Sequence, residues 1–151
     1  MVSPRPNTPL VAQAWIATIP GFDAAMVAGA LPADNGSWSA SGFVVASSTV
    51  GGLVDIDTGA RQPVVQISCW SCGPGGGRPP LGLAYALAED IVDACRDDAL
   101  TVCRTLTLPG ACGQARVLTA YPVGPPPRRI PADPASYAHI VFDVAFHWIP
   151  L

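Results

Sequence analysis

Residues 137–148 read YAHIVFDVAFHW, and no other run restricts the folding of this chain as much. Side chains of a strand alternate between its two faces. Ala138, Ile140, Phe142, Val144, Phe146 and Trp148 therefore share one wholly apolar face, and Tyr137, His139, Val141, Asp143, Ala145 and His147 share the other. The first set demands a core; the second is suited to water or a neighbour. Twelve residues at ~3.3 Å each span roughly 40 Å, about twice an ordinary strand. A strand that long in a chain of 151 residues is expected to extend past its own body and serve another chain.

The rest of the composition agrees with such an outward role. Hydrophobic residues make up 50% of the chain and charged residues only 13%, about half the ~25% usual for a soluble domain. A surface so poor in charge has little to hold neighbours off. Oligomerisation is the natural explanation and a large buried core the plain one. All eight cations are Arg, and the net charge is −3. That balance argues against a grip on nucleic-acid phosphates, which needs a basic face. The apolar stretch Leu10–Pro32 is interrupted by Gln13, Pro20, Gly21 and Asp23 and does not read as a leader. No run reaches the ~20 apolar residues of a membrane span, so a soluble protein without a membrane partner is expected.

The chain reads as one domain over 1–151, a mixed, mainly antiparallel α/β (α+β) sheet with a principal helix on one face and a long hairpin extension. Residues 1–8 form a flexible N-terminal arm. Thr8-Pro9 reads as an N-cap and first helical position, opening a short helix that Pro20-Gly21 ends. Residues 22–30 fit helix and strand equally. Strands are expected over 43–50 and 63–70, the second turning Val65, Ile67 and Cys69 to the core. Gly51-Gly52 reads as a turn or bulge, and 53–57 as an alternating piece with Asp55 and Asp57 on one side. The loop GPGGGRPP, 73–80, is expected to be mobile or held by a partner. Leu83, Leu87, Ile91 and Cys95 repeat every four residues and predict a helix over 81–98. Asp97 and Asp98 oppose its dipole, so its last turn should fray. Strands follow at 102–108 and 114–121. The stretch 122–136 holds six prolines around Arg128-Arg129 and reads as a semi-stiff polyproline loop at the tip of the hairpin.

Nothing in the chain spells out a reaction. Cys69-Trp70-Ser71-Cys72 has C-x-x-C spacing, but on a strand positions three apart point to opposite faces, and Cys95, Cys103 and Cys112 are scattered. All five read as buried free thiols. His139, Asp143 and His147 share a strand face but are too spread for one metal or proton relay. Asp55 and Asp57 lack a third ligand. No nucleophile elbow, phosphate loop, zinc-protease or dinucleotide fingerprint occurs. The expectation is therefore no catalytic, cofactor-binding or metal residue. Subunit contacts are assigned to Trp38, Trp70, Arg78, Arg128 and Arg129, because aromatic rings and the planar guanidinium suit interfaces.

One resemblance goes further. A short N-terminal helix leads to a hairpin ending in PVVQISCW. A glycine loop precedes the helix LAYALAEDIVDACRD, the strand GQARVLTAYPV follows, and RRIPADPASYAHIVFDVAFHW closes the chain. This order, over roughly residues 9–150, resembles the tail-terminator proteins of long-tailed siphophages, especially those of actinobacterial hosts. The resemblance implies a structural virion subunit rather than an enzyme, with no cofactor. It implies a homohexameric ring that caps the finished tail tube, meets the tail-tube protein below and the head–tail connector above, and lets DNA through without binding it specifically. Its place would be the head–tail junction of the virion, after assembly in the host cytoplasm. The alternatives within assembly are another connector, neck or tail-tube subunit. From other classes they are a small metal or redox protein using Cys69 and Cys72, or a hydrolase with a triad formed only in space.

Overall fold

The terminal strand lies in the interior of a six-stranded sheet. A computed structural model of the chain describes residues 2–73, 80–131 and 137–151. The strands are β1 (Val27–Ala28), β2 (Phe43–Val54), β3 (Arg61–Cys72), β4 (Arg104–Thr107), β5 (Gln114–Ile130) and β6 (Tyr137–Pro150). The helices are α1 (Thr8–Ala17), α2 (Leu81–Ala94) and the single turn α3 (Asp98–Thr101). The sheet order is β1-β2-β3-β6-β5-β4, antiparallel throughout except for the short β1–β2 pair. The expected mixed, mainly antiparallel sheet with a helix on one face is therefore the fold.

β6 takes this place because its apolar face is long enough to serve both neighbours and two helices. The six residues Ala138, Ile140, Phe142, Val144, Phe146 and Trp148 are each at most 2% exposed. α1 covers them with Val11, Ala12, Trp15 and Ile16, and α2 with Ala84, Leu87, Ala88, Ile91 and Ala94. Trp15 meets Phe146 edge to face at 5.4 Å. Its indole Nε1 donates to the Leu100 carbonyl at 2.7 Å, tying α1 to α3. Two residues further along β6, the Trp148 Nε1 donates to Thr8 Oγ1 at 3.3 Å, and the Arg61 guanidinium lies 5.6 Å from the Trp148 ring.

Four local expectations need correction. The N-cap of α1 is Asn7, whose side chain accepts from Leu10 N at 3.1 Å; Asn caps better than Thr, and Thr8 becomes the first helical residue. The helix at 81–98 is two helices. α2 stops at Ala94, and Asp97 caps α3 by accepting from Ala99 N at 2.9 Å. Asp97 and Asp98 thus sit at a positive helix start rather than a negative helix end. β2 does not stop at Val50: it runs to Val54 through two irregularities, at 46–48 and 49–51. The hairpin loop expected over 122–136 is also shorter. β5 stays paired with β6 to Val123 opposite Asp143, and resumes with Arg128 opposite Val141 as far as Ile130. Between them residues 124–127 bulge opposite Phe142 alone, because prolines donate nothing to a ladder. Residues 132–136 lie outside the described residues.

Candidate assembly interface

The two long hairpins, β2–β3 and β5–β6, leave the sheet at opposite ends. Arg61 pairs with Trp148 near the end of β6, whereas Ile130 pairs with His139 near its start. The turn of the β2–β3 hairpin is built by Asp55, whose carboxylate accepts from the backbones of Asp57 (2.9 Å) and Thr58 (3.3 Å). Hydrogen bonds from Thr58, side chain and backbone, and from the Asp57 backbone hold that carboxyl below its ordinary value. The expected pairing of Asp55 and Asp57 on one strand face is thus replaced by a turn. Around it the strand ends expose Val50 (51%), Leu53 (62%), Val54 (58%) and Ile56 (93%). The sequence reading missed this apolar tip. Its signal is the run VGGLVDI, in which apolar side chains do not alternate cleanly with polar ones.

The β5–β6 end has the opposite chemistry. Arg128 and Arg129 are exposed and paired opposite Val141 and Ile140, and Pro125 and Pro126 are exposed beside them. Arg78 lies outside the described residues. Trp70, half-buried, stacks on His139 with centroids 3.9 Å apart and planes at 11°, and meets Tyr137 edge-on. Trp38 is not offered to a neighbour: it is 2% exposed and packs with Phe43 and Cys72 in a small cluster apart from the main core. The structure therefore places Trp70, Arg128 and Arg129 near one end of the sheet and encloses Trp38 within its own chain.

Between the two ends, the second face of β6 carries His139, Asp143 and His147 in a row, half-buried. His139 Nε2 and Asp143 Oδ1 are enclosed with no hydrogen-bond partner among the described residues. Burial holds the His139 pKa below its ordinary value. Among the described residues, no group of three or more His, Cys, Asp or Glu is placed to hold a metal. Cys69 lies in the main core and Cys72 in the small cluster, so the C-x-x-C thiols do not converge. Burial pushes the thiols of Cys69, Cys72 and Cys95 up, that of Cys95 to about 12, which disfavours the reactive thiolate. No described helix is long and apolar enough to cross a membrane.

Two grooves flank the turn that follows α1. An apolar one of about 690 Å³ runs between Leu10, Ala14, Phe22, Val27 and Leu108. The other, of about 290 Å³, lies between Ile19 and Pro20 on one wall and Asp90, Asp93 and Asp97 on the other.

No protein-family model and no curated protein matches the chain in sequence. In fold it is similar to a chain of the solved structure described as "Virion of native gene transfer agent (GTA) particle", with a TM-score of 0.53 and 16% identity. The likeness covers 93% of this chain and 91% of that one. What the two share is the fold; their sequences agree at 16% of positions.

Proposed function

We propose that the chain is a structural subunit of a phage-type virion, and within that class a tail terminator whose six-membered ring caps the tail tube and receives the head–tail connector. One observation carries the reading. A chain from a virion particle has the same fold over nearly the full length of both molecules. The surface supports it. A single subunit presents apolar side chains at one end of its sheet and exposed arginines at the other, as a part with different neighbours at its two ends would. Little charge on the chain favours a broad shared interface. The net charge of −3 disfavours retention of DNA in a channel. On this reading the chain works by heterologous ring closure, one patch of each subunit meeting a different patch of the next. It needs no cofactor and performs no reaction.

The test is the state of the purified chain. Light scattering behind size exclusion should give the mass of one closed ring, and electron microscopy should show single rings. In particles, the chain should be found at the junction of head and tail. Stacking into an indefinite tube would favour a tail-tube subunit instead. A chain that stays monomeric at every concentration and is missing from particles would end the reading.

A further inference from the structure

We propose that the Arg128–Arg129 end of the β5–β6 hairpin of one copy docks against the outer face of α2 on the next copy. This deepens the ring reading and rests on it. The outer surface over 89–98 exposes five carboxylates, Glu89, Asp90, Asp93, Asp97 and Asp98, against the single guanidinium of Arg96. Three of them, Asp90, Asp93 and Asp97, line the groove whose far wall is Ile19 and Pro20. On the same molecule two adjacent exposed guanidiniums stand on a strand that pairing with β6 holds in place. An acidic face with one internal cation and a basic end are complementary, and complementary charge orients and selects a partner.

The α3 end of the acidic surface and the arginines lie apart along the sheet. Arg104 reaches back to the Ala99 carbonyl at 2.9 Å and pairs with Val117, which fixes α3 beside the Val117–Trp148 rung of the sheet. Arg128 sits on the Val141 rung. Seven residues of β6 separate the two rungs, roughly 23 Å at ~3.3 Å per residue, which puts the Asp97–Asp98 end of the acidic surface beyond the reach of the Arg128 side chain. Complementary patches at separate places on one molecule make a head-to-tail contact, the kind that closes rings. Adjacent strand residues face opposite ways, so the hairpin end offers a cation on either side. Next to it stand Pro125 and Pro126, and next to the acidic groove stands the apolar one beyond Phe22. Apolar and charged portions thus adjoin in both patches.

The experiment is a charge swap on the full chain, with ring formation read by light scattering across protein and salt concentration. Arg128→Glu/Arg129→Glu should raise the concentration needed for rings at least ~30-fold, the lower end of what losing one side of an interfacial charge pair does. Asp90→Arg/Asp93→Arg should do the same from the other side. The chain carrying all four substitutions should form rings again, and wild-type rings should loosen as salt rises. All four side chains are exposed, and melting curves near wild type confirm that each variant is folded. Rings of normal mass and salt response from Arg128→Glu/Arg129→Glu overturn the contact and leave the ring reading standing. A four-fold variant that stays monomeric also overturns it. A wild-type chain that never forms rings overturns the contact and the ring reading together.

Discussion

Trp15 shows how much a single side chain does here. It is fully buried, it meets Phe146 across the sheet–helix boundary, and its Nε1 satisfies the Leu100 carbonyl at 2.7 Å. Trp15→Phe keeps an aromatic ring but leaves that carbonyl without its donor. An unsatisfied buried acceptor costs about 1–3 kcal/mol, and each kcal/mol lowers the melting temperature by roughly 2–4 °C at this size. Thermal melting should show the fall, and an unchanged curve would mean that the carbonyl had found another partner. His139 sets a pH dependence instead. Burial lowers its folded pKa below the ordinary value near 6.5, so between the two values the unfolded chain binds more protons than the folded one. Stability is then undiminished above about pH 6.5 and declines as pH falls through and below that value. Melting temperatures between pH 7.5 and 5.5 should drop. His139→Phe, which keeps an aromatic ring against Trp70, should flatten part of that drop; an equal drop in the variant would assign it to other groups.

At the scale of elements, a strand glycine is as decisive as the core. Gly52 adopts φ +110°, and a Cβ there would sit 2.2 Å from the Gln62 carbonyl oxygen on β3. Gly52→Ala should therefore loosen the end of the β2–β3 hairpin, read as faster amide exchange at Leu53 and Val54 while the protection of β6 is unchanged. Exchange equal to wild type would show that the bulged strand absorbs the methyl. The same strand marks how far the sequence can be read. β6 and α2 were legible because their periodic patterns run for many residues and meet one continuous core. The end of α2 was not. Asp97 and Asp98 make sense only once α3 exists as a separate turn for Asp97 to cap, and a four-residue helix leaves no periodic trace. The Pro-rich stretch misled for a different reason. Proline composition reports that a residue cannot donate to a ladder, but Arg128–Ile130 lie beyond the bulge and pair normally. Of the residues assigned to subunit contacts by type, Trp70, Arg128 and Arg129 keep exposed surface, whereas Trp38, indistinguishable from them in the sequence, is buried against Phe43 and Tyr137. The apolar tip at 50–56 was missed because apolar residues in a strand are ordinarily read as core.

For the whole molecule, the two hairpin ends differ in chemistry. Leu53 and Ile56 are 62% and 93% exposed at the end remote from Arg128 and Arg129, and apolar side chains clustered in the open are characteristic of surfaces that another protein covers. If the arginine end closes the ring, the apolar end is left for a neighbour above or below it. Leu53→Ser/Ile56→Ser removes apolar surface that contributes little to the folded subunit, so its stability should stay within about 0.5 kcal/mol of wild type. Rings should keep their mass, because the charged contact is untouched. The effect should appear one level up, as a loss of infectious particles when the variant replaces the wild-type chain, with tails and heads accumulating unjoined. Light scattering reads the first outcome, and particle counts with electron microscopy read the second. The pairing of outcomes discriminates between interfaces. Loss of the ring itself would place the apolar tip in subunit-to-subunit contact, and normal particle yield would remove it from assembly altogether. Charge reversal at Arg128 and Arg129 should give the reverse pattern, failing at the ring before any joining is attempted. Two variants in one sheet, acting at two successive stages, would separate closure from joining in a subunit whose long central strand connects both.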